Sequence, residues 1–260
     1  GIILVTGPTG SGKTTTLYAF LKYLNKPGIK IITLEDPIEY HLQGINQSQI
    51  EPEKGYTFAN GLRSVLRQDP NIILVGEIRD EETADVALHA ALTGHLVFST
   101  LHTNDGIGAV PRFLDMNAKP QILASALNAA IGQRLVRKLC ASCKKIASNA
   151  TSAIERIKKD LYDSPQIESV FPWPADAKIY EPVGCAKCGG TGYKGRVGVY
   201  EVLFVDEAME ELIGTSPSHQ DIFILAKKSG FITMYQDGLI RVLAGETTMA
   251  EIERVTSATT

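Results

Sequence analysis

The chain has 260 residues, 44% of them hydrophobic, with a formal net charge of −3 and four cysteines. That is enough apolar material for one sizeable core, or for a core plus a smaller module. The charge balance argues against a nucleic-acid binder, and no apolar run approaches the roughly 20 residues that span a bilayer.

Ile2, Ile3, Leu4 and Val5 form a short apolar run that predicts a buried strand. Gly1 is not a Met and a core strand is expected from residue 2, so the chain reads as a fragment, or as lacking an upstream domain, with no secretory signal. Gly7-Pro8-Thr9-Gly10-Ser11-Gly12-Lys13-Thr14 follows and fits G-x-x-x-x-G-K-[ST], the phosphate-binding loop of nucleoside triphosphatases. A helix is predicted over Thr14 to Lys26, with Leu17, Ala19, Phe20, Leu21 and Leu24 as candidate buried positions. The loop therefore sits between strand and helix, as its mechanism requires. Glycines let successive N–H groups curl around phosphate oxygens, and the helix N-terminus adds a favourable field. Lys13 would reach the β- and γ-phosphates, the Thr14 hydroxyl would bind Mg²⁺, and Thr15 completes the stretch expected against the nucleotide.

Ile29 to Leu34 reads as a second buried strand, ended by the acidic turn Glu35-Asp36-Pro37-Ile38-Glu39. Thr57 to Gln68 fits a helix with Phe58, Leu62, Val65 and Leu66 as its apolar stripe. Ile72 to Val75 is a further strand, Glu81 to Leu92 a helix with acids in its first turn, Gly94 its stop, and Leu96 to Leu101 another strand. Such alternation implies an α/β fold with a mostly parallel sheet covered by helices. Ligands bind beyond the carboxyl ends of strands in these sheets. The glycine-rich loop, the acidic turn, Gly76-Glu77 and Leu101-His102 all fall there. Two more helices are expected between Ile107 and Ile131. From about Arg134 the character changes: a C-x-x-C pair, a polar helix near Ser152 to Asp160, and a stretch punctuated by Pro165, Pro172, Pro174 and Pro182. A second C-x-x-C, a glycine-rich turn and a weak strand over Val197 to Leu203 come next, and the chain is mostly helical from Glu207. The segments read as an ATPase core over residues 1–134, a four-cysteine module over 135–200 and a helical subdomain over 201–260.

Ile72-Ile73-Leu74-Val75-Gly76-Glu77 has the form of a Walker B strand, except that Gly76 stands where an Asp is usual. Glu77 is placed to orient or activate the attacking water. Glu35, Asp36 and Glu39 are candidates for the acidic work near Mg²⁺, Glu39 through a metal-bound water. His102 ends its strand at the ligand side and could report nucleotide state, whereas His95 begins the same strand at the far end. Arg63 and Arg79 are candidates to stabilise charge on the transferring phosphoryl group; Arg67 is open.

Cys140, Cys143, Cys185 and Cys188 form two C-x-x-C pairs, enough for a tetrahedral zinc ion. Disulfides or a redox dithiol are the alternatives. An intracellular ATPase disfavours the first, and the second needs one pair in a thioredoxin-like context. Structural zinc is the reading adopted.

Taken together, the glycine-rich loop, Glu35-Asp-Pro-Ile-Glu39, Leu66-Arg-Gln-Asp-Pro70, Gly76-Glu-Ile-Arg-Asp80, Thr93 to Asn104 and Gln133-Arg-Leu-Val-Arg137 resemble the type IV pilus assembly and type II secretion ATPases. The cysteine pairs and Gly195-Arg-Val-Gly-Val-Tyr-Glu201 resemble that family's C-terminal region. The resemblance implies a RecA-like P-loop core, with Gly7 to Thr14 as Walker A, Glu35 to Glu39 as the "Asp box", Gly76-Glu77 as an atypical Walker B, and His95 to His102 as the His box. Arg63 and Arg79 match arginines that approach the phosphates. It further implies ATP, Mg²⁺ and structural Zn²⁺ as cofactors and a homo-hexamer in the cytoplasm at the inner face of the inner membrane. An inner-membrane platform protein would be the partner. A preceding domain would be missing, so this fragment alone should turn over slowly. A nucleic-acid translocase and a non-hydrolysing nucleotide-binding regulator are the competing readings. The net charge disfavours the first, and Lys13, Thr14 and Glu77 the second.

Overall fold

The computed structural model describes residues 1–148, 150–163 and 165–256, with the backbone alone at Pro165 and Gln166. In chain order its elements are β1 (Ile2–Thr6), α1 (Lys13–Leu24), β2 (Ile31–Glu35), β3 (Asn46–Gln49), α2 (Phe58–Leu66), β4 (Ile72–Val75), α3 (Glu81–Leu92), β5 (Leu96–Leu101), α4 (Ala109–Asp115), α5 (Pro120–Ala126) and β6 (Leu127–Leu139). There follow β7 (Lys145–Ile146), α6 (Thr151–Leu161), α7 (Pro165–Val170), β8 (Tyr180–Glu181), β9 (Tyr193–Phe204), α8 (Glu207–Ile213), α9 (His219–Lys228), α10 (Met234–Leu243) and α11 (Met249–Thr256). The chain divides into two compact units: Gly1–Gly132 with Val202–Ala226, and Gln133–Glu201 with Lys227–Thr260.

The first unit is built on a sheet of order β3-β2-β4-β5-β1-β6-β9, to which it contributes the first part of β6 and the last residues of β9. β1 pairs in parallel with β5 and β6, β2 with β3 and β4, and β4 with β5. Every residue of β2 and β4 is buried, as strands covered on both faces must be. Leu17, Tyr18 and Leu21 of α1 pack into a core with Ile31, Ile72, Leu74 and Phe98. Each such side chain stabilises the fold by roughly 1.5–3 kcal/mol. Tyr18 takes the inward position expected of Ala19, which is exposed. Thr57 caps α2 by accepting from the Asn60 amide at 3.2 Å, and Asp80 caps α3 by accepting from the Thr83 amide at 2.8 Å.

Two expectations need correction. The helical reading between Ile107 and Ile131 holds only to Ala126, because Leu127–Leu139 is one long strand whose start pairs with β1. β3 is an additional strand, polar throughout and lying at the sheet edge.

The second unit has its own core, in which Val136 and Val199 meet Ile157, Leu161 and Ile179 from between the cysteine pairs, and Leu239, Val242 and Ile252 from α10 and α11. Glu251 is buried at 1% exposure and accepts from the Arg137 amide at 2.9 Å, from Arg137 Nη2 at 2.7 Å and from Arg254 Nη2 at 2.9 Å. Burial alone would raise its pKa, but the bonds from Arg254 and Arg137 outweigh it and hold the carboxyl at about 2. The final four residues of the expected helical stretch lie outside the described residues. Among those described, no helix is long and apolar enough to cross a membrane.

Candidate nucleotide and metal sites

Four polar segments leave the carboxyl ends of adjacent parallel strands in the first unit. The loop between β1 and α1 is the first. Gly7, Gly10 and Gly12 take φ of 140°, 80° and 90°, a region that side chains with a Cβ rarely enter. Gly12 immediately precedes α1, so Lys13 and Thr14 form its first turn. Lys13 Nζ folds back on the loop and donates to the Gly7 carbonyl at 2.8 Å and the Pro8 carbonyl at 3.1 Å. Ser11 is buried, and Thr15 faces solvent.

Beyond β4, Gly76 has a physical reason. A Cβ there would stand 3.0 Å from the Leu34 carbonyl oxygen and 3.4 Å from Glu35 Cα, since the Gly76 amide bonds that carbonyl at 2.7 Å. A side chain where the usual Walker B pattern has an aspartate would therefore crowd the β2 backbone. The last carbonyls of this segment are held from β5: Ser99 Oγ donates to Val75 at 2.7 Å and Thr100 Oγ1 to Gly76 at 2.8 Å. Glu77 is 9% exposed, and its Oε2 accepts from Arg79 Nε and faces His102 Nε2 at 3.3 Å. Glu77, Arg79 and His102 thus come together. His95 lies at the other end of β5, with its Nδ1 3.0 Å from the Ala90 carbonyl. Arg63 Nη1 instead donates to Glu82 Oε1 at 2.6 Å, an exposed pair of α2 and α3.

The acidic turn beyond β2 divides by role. Asp36 and Glu39 are exposed, and the Asp36–Pro37 peptide is cis. Glu35 is 3% exposed, and its carboxylate is taken up internally: Oε2 accepts from the Tyr18 hydroxyl, and Oε1 from Thr33 Oγ1 at 2.5 Å and Gln47 Nε2 at 3.0 Å. Tyr18 and Gln47 were not singled out in the sequence. The available signal was Thr33-x-Glu35, two polar residues on one face of an otherwise apolar strand.

The loop after His102 carries another residue missed by sequence reading. The Asp105 carbonyl accepts from Thr6 Oγ1 at 2.9 Å and Thr103 Oγ1 at 2.7 Å. Its carboxylate accepts from the Gly108 amide at 2.6 Å and pairs with His219 Nε2 at 3.0 Å.

In the second unit the sulfurs of Cys140, Cys143, Cys185 and Cys188 all lie within 4.8 Å of one another. Cys140–Cys185 is 4.0 Å, and Cys143–Cys188 and Cys185–Cys188 are 3.8 Å. A disulfide needs about 2.05 Å. Four thiolates about 2.3 Å from a tetrahedral zinc stand about 3.8 Å apart, so the donor set fits that ion. Cys188 Sγ also accepts from the amides of Cys185 at 3.2 Å and Gly192 at 3.3 Å. Those N–H groups favour the thiolate and lower its pKa to about 6. Gly184 lets the second knuckle close, since a Cβ there would lie 2.4 Å from the Gly190 carbonyl oxygen.

Comparison with known proteins follows the same lines. The family model for type II/IV secretion system proteins matches residues 1–254. A type II secretion system protein E of Aeromonas hydrophila is 46% identical over 98% of this chain and 48% of its own length. The type IV pilus assembly ATPase PilB of Thermus thermophilus is 44% identical over 97% of this chain and 27% of its own. The crystal structure of the pilus retraction motor PilT with bound ADP superimposes with a TM-score of 0.68 at 32% identity, over 98% of this chain and 61% of that one. The chain spans about half the length, 48%, of the type II relative.

Proposed function

Because this chain belongs to the type II/IV secretion system protein family, we propose that it is the catalytic part of a hexameric motor ATPase. The motor would work in the cytoplasm at the inner face of the inner membrane. It couples ATP hydrolysis, through an inner-membrane platform protein, to assembly of a type IV pilus or type II secretion pseudopilus. The observation that carries this reading is the convergence of Glu77, Arg79 and His102 beyond β4 and β5, in a sheet that presents the glycine-rich loop beyond β1.

In this reading, Gly7 to Thr15 cradle the phosphates, and Lys13 leaves the Gly7 and Pro8 carbonyls for phosphate oxygens. Thr14 and Glu39 would hold Mg²⁺, which would supply positive charge against the phosphates. Glu77 orients the attacking water; Arg79 and His102 steady its Oε2 and would turn to phosphate oxygens when nucleotide binds. Arg63 would serve the phosphates after parting from Glu82. Residues 1–134 hold the nucleotide and 135–200 the four-cysteine module, where zinc would fix structure; the helices expected over 201–260 are shared between the two compact units. No nucleic acid takes part, and contact with the membrane is through partners only.

Steady-state Mg²⁺-ATP hydrolysis by the intact protein, with and without DNA, tests this. Turnover indifferent to DNA supports the secretion or pilus motor. Strong stimulation by DNA would favour a translocase.

A further inference from the structure

We infer that Tyr18 is a positioning residue for Glu39: it ties the helix carrying Lys13 and Thr14 to the acidic turn, using the Glu35 carboxylate as the knot. The inference rests on the proposed role of Glu39 near Mg²⁺. Tyr18 lies about one turn beyond Thr14 on α1 and is wholly buried. Its hydroxyl donates to Glu35 Oε2 at the end of β2. Gln47, on the neighbouring β3, closes the group: Nε2 donates to Glu35 Oε1 at 3.0 Å and to the Tyr40 carbonyl at 3.2 Å, while Oε1 accepts from the Leu42 amide at 2.6 Å. The Tyr40 ring meets the Tyr18 ring edge-on at 4.7 Å. The turn is therefore gripped at Glu35, Tyr40 and Leu42, on both sides of Glu39.

Burial raises the pKa of the Tyr18 hydroxyl, and the adjoining Glu35 carboxylate raises it further, so the group stays a proton donor. Tyr18 thus holds the acid at the end of β2 with its hydroxyl and meets the residue after Glu39 with its ring. A metal held partly through water depends on such outer supports, and their loss typically weakens metal binding by about 10- to 100-fold.

The test is Mg²⁺ binding by the intact protein loaded with ADP, read by calorimetry without turnover, beside the Mg²⁺ dependence of ATP turnover, in protein carrying Tyr18→Phe, Glu39→Gln or both. Each single variant should weaken Mg²⁺ binding, and raise the Mg²⁺ concentration for half-maximal turnover, by about 10-fold. The pair should do no worse than Glu39→Gln alone, because both changes disable one arrangement. If Glu39→Gln shifts the dependence and Tyr18→Phe does not, or if the two effects multiply, the inference fails and the reading of Glu39 survives. If Glu39→Gln leaves it unchanged, the reading of Glu39 fails and takes the inference with it. Should Tyr18→Phe not fold, Gln47→Leu decides on the same terms, since it frees Tyr40 and Leu42 from the partly exposed edge.

Discussion

His102 Nε2 stands 3.3 Å from Glu77 Oε2, two side chains delivered by the paired strands β5 and β4 to the same end of the sheet. Glu77 is shielded while His102 is half exposed, so the carboxylate is held from within and approached from solvent. This geometry fits the proposed roles, a carboxylate that would orient water beside a histidine that would meet the nucleotide.

Glu77→Gln should keep nucleotide binding and lower kcat by roughly 10²- to 10⁴-fold, the usual size of a general-base contribution. His102→Ala should lower kcat more than it changes KM, and the double variant should fall short of the product of the singles. Steady-state kinetics beside a nucleotide-binding titration separates these outcomes. Unchanged turnover in Glu77→Gln refutes its role.

Gly76→Ala should destabilise the protein by roughly 1–3 kcal/mol, as overpacking does, because the new Cβ crowds a backbone carbonyl that is bonded to the Gly76 amide. Gly76→Asp should be worse, despite restoring the commoner Walker B residue. Chemical denaturation of the two variants would show the order, and a stable Gly76→Asp protein would contradict it.

Purification without chelator should yield zinc in a one-to-one ratio with chain, measured by elemental analysis. Cys140→Ser should lose the metal and lower Tm, while nucleotide binding by the first unit persists. Metal-free protein of undiminished Tm would remove zinc from the account.

Glu251 has its pKa depressed from an ordinary 4.5 to about 2. Its contribution to stability is therefore complete above pH 4.5 and is lost as pH falls from there toward 2. Glu251→Gln should cost roughly 1–3 kcal/mol at neutral pH and flatten the acid limb of the stability curve. An acid limb of unchanged slope in that variant would mean that other carboxylates set it.

Ile72–Val75, Glu81–Leu92 and Leu96–Leu101 have the bounds that the sequence predicts, because each is an apolar or amphipathic run with its own stop. Gly94 supplies one of those stops, and Asp80 caps the start of α3. Asn46–Gln49 carried no apolar signal, since one neighbour and a polar side chain, Gln47, hold it in place. The start of β6 reads as helix because Leu127-Asn-Ala-Ala-Ile131 is as good a helix as a strand locally, and only pairing with β1 decides. In the site, residues at strand ends were legible from position alone. Tyr18 was not, because a tyrosine on an amphipathic helix gives no hint that its hydroxyl has a carboxylate to meet. Arg63 shows the converse: its place near the motif is plain in sequence, its bond to Glu82 is not.

The hydroxyls of Ser99 and Thr100, bonded across to the Val75 and Gly76 carbonyls, make β4 and β5 a single plank at their working end. The segment that bears Glu77 and the strand that leads to His102 are thus tied at two successive positions. On the other side of β4, backbone bonds hold the start of the turn bearing Glu39, Gly76 N to the Leu34 carbonyl at 2.7 Å and Ile50 N to the Glu35 carbonyl at 2.8 Å, while Tyr40 and Leu42 meet the Gln47 side chain: the near half of the turn is laced to the sheet by main chain and the far half by a glutamine.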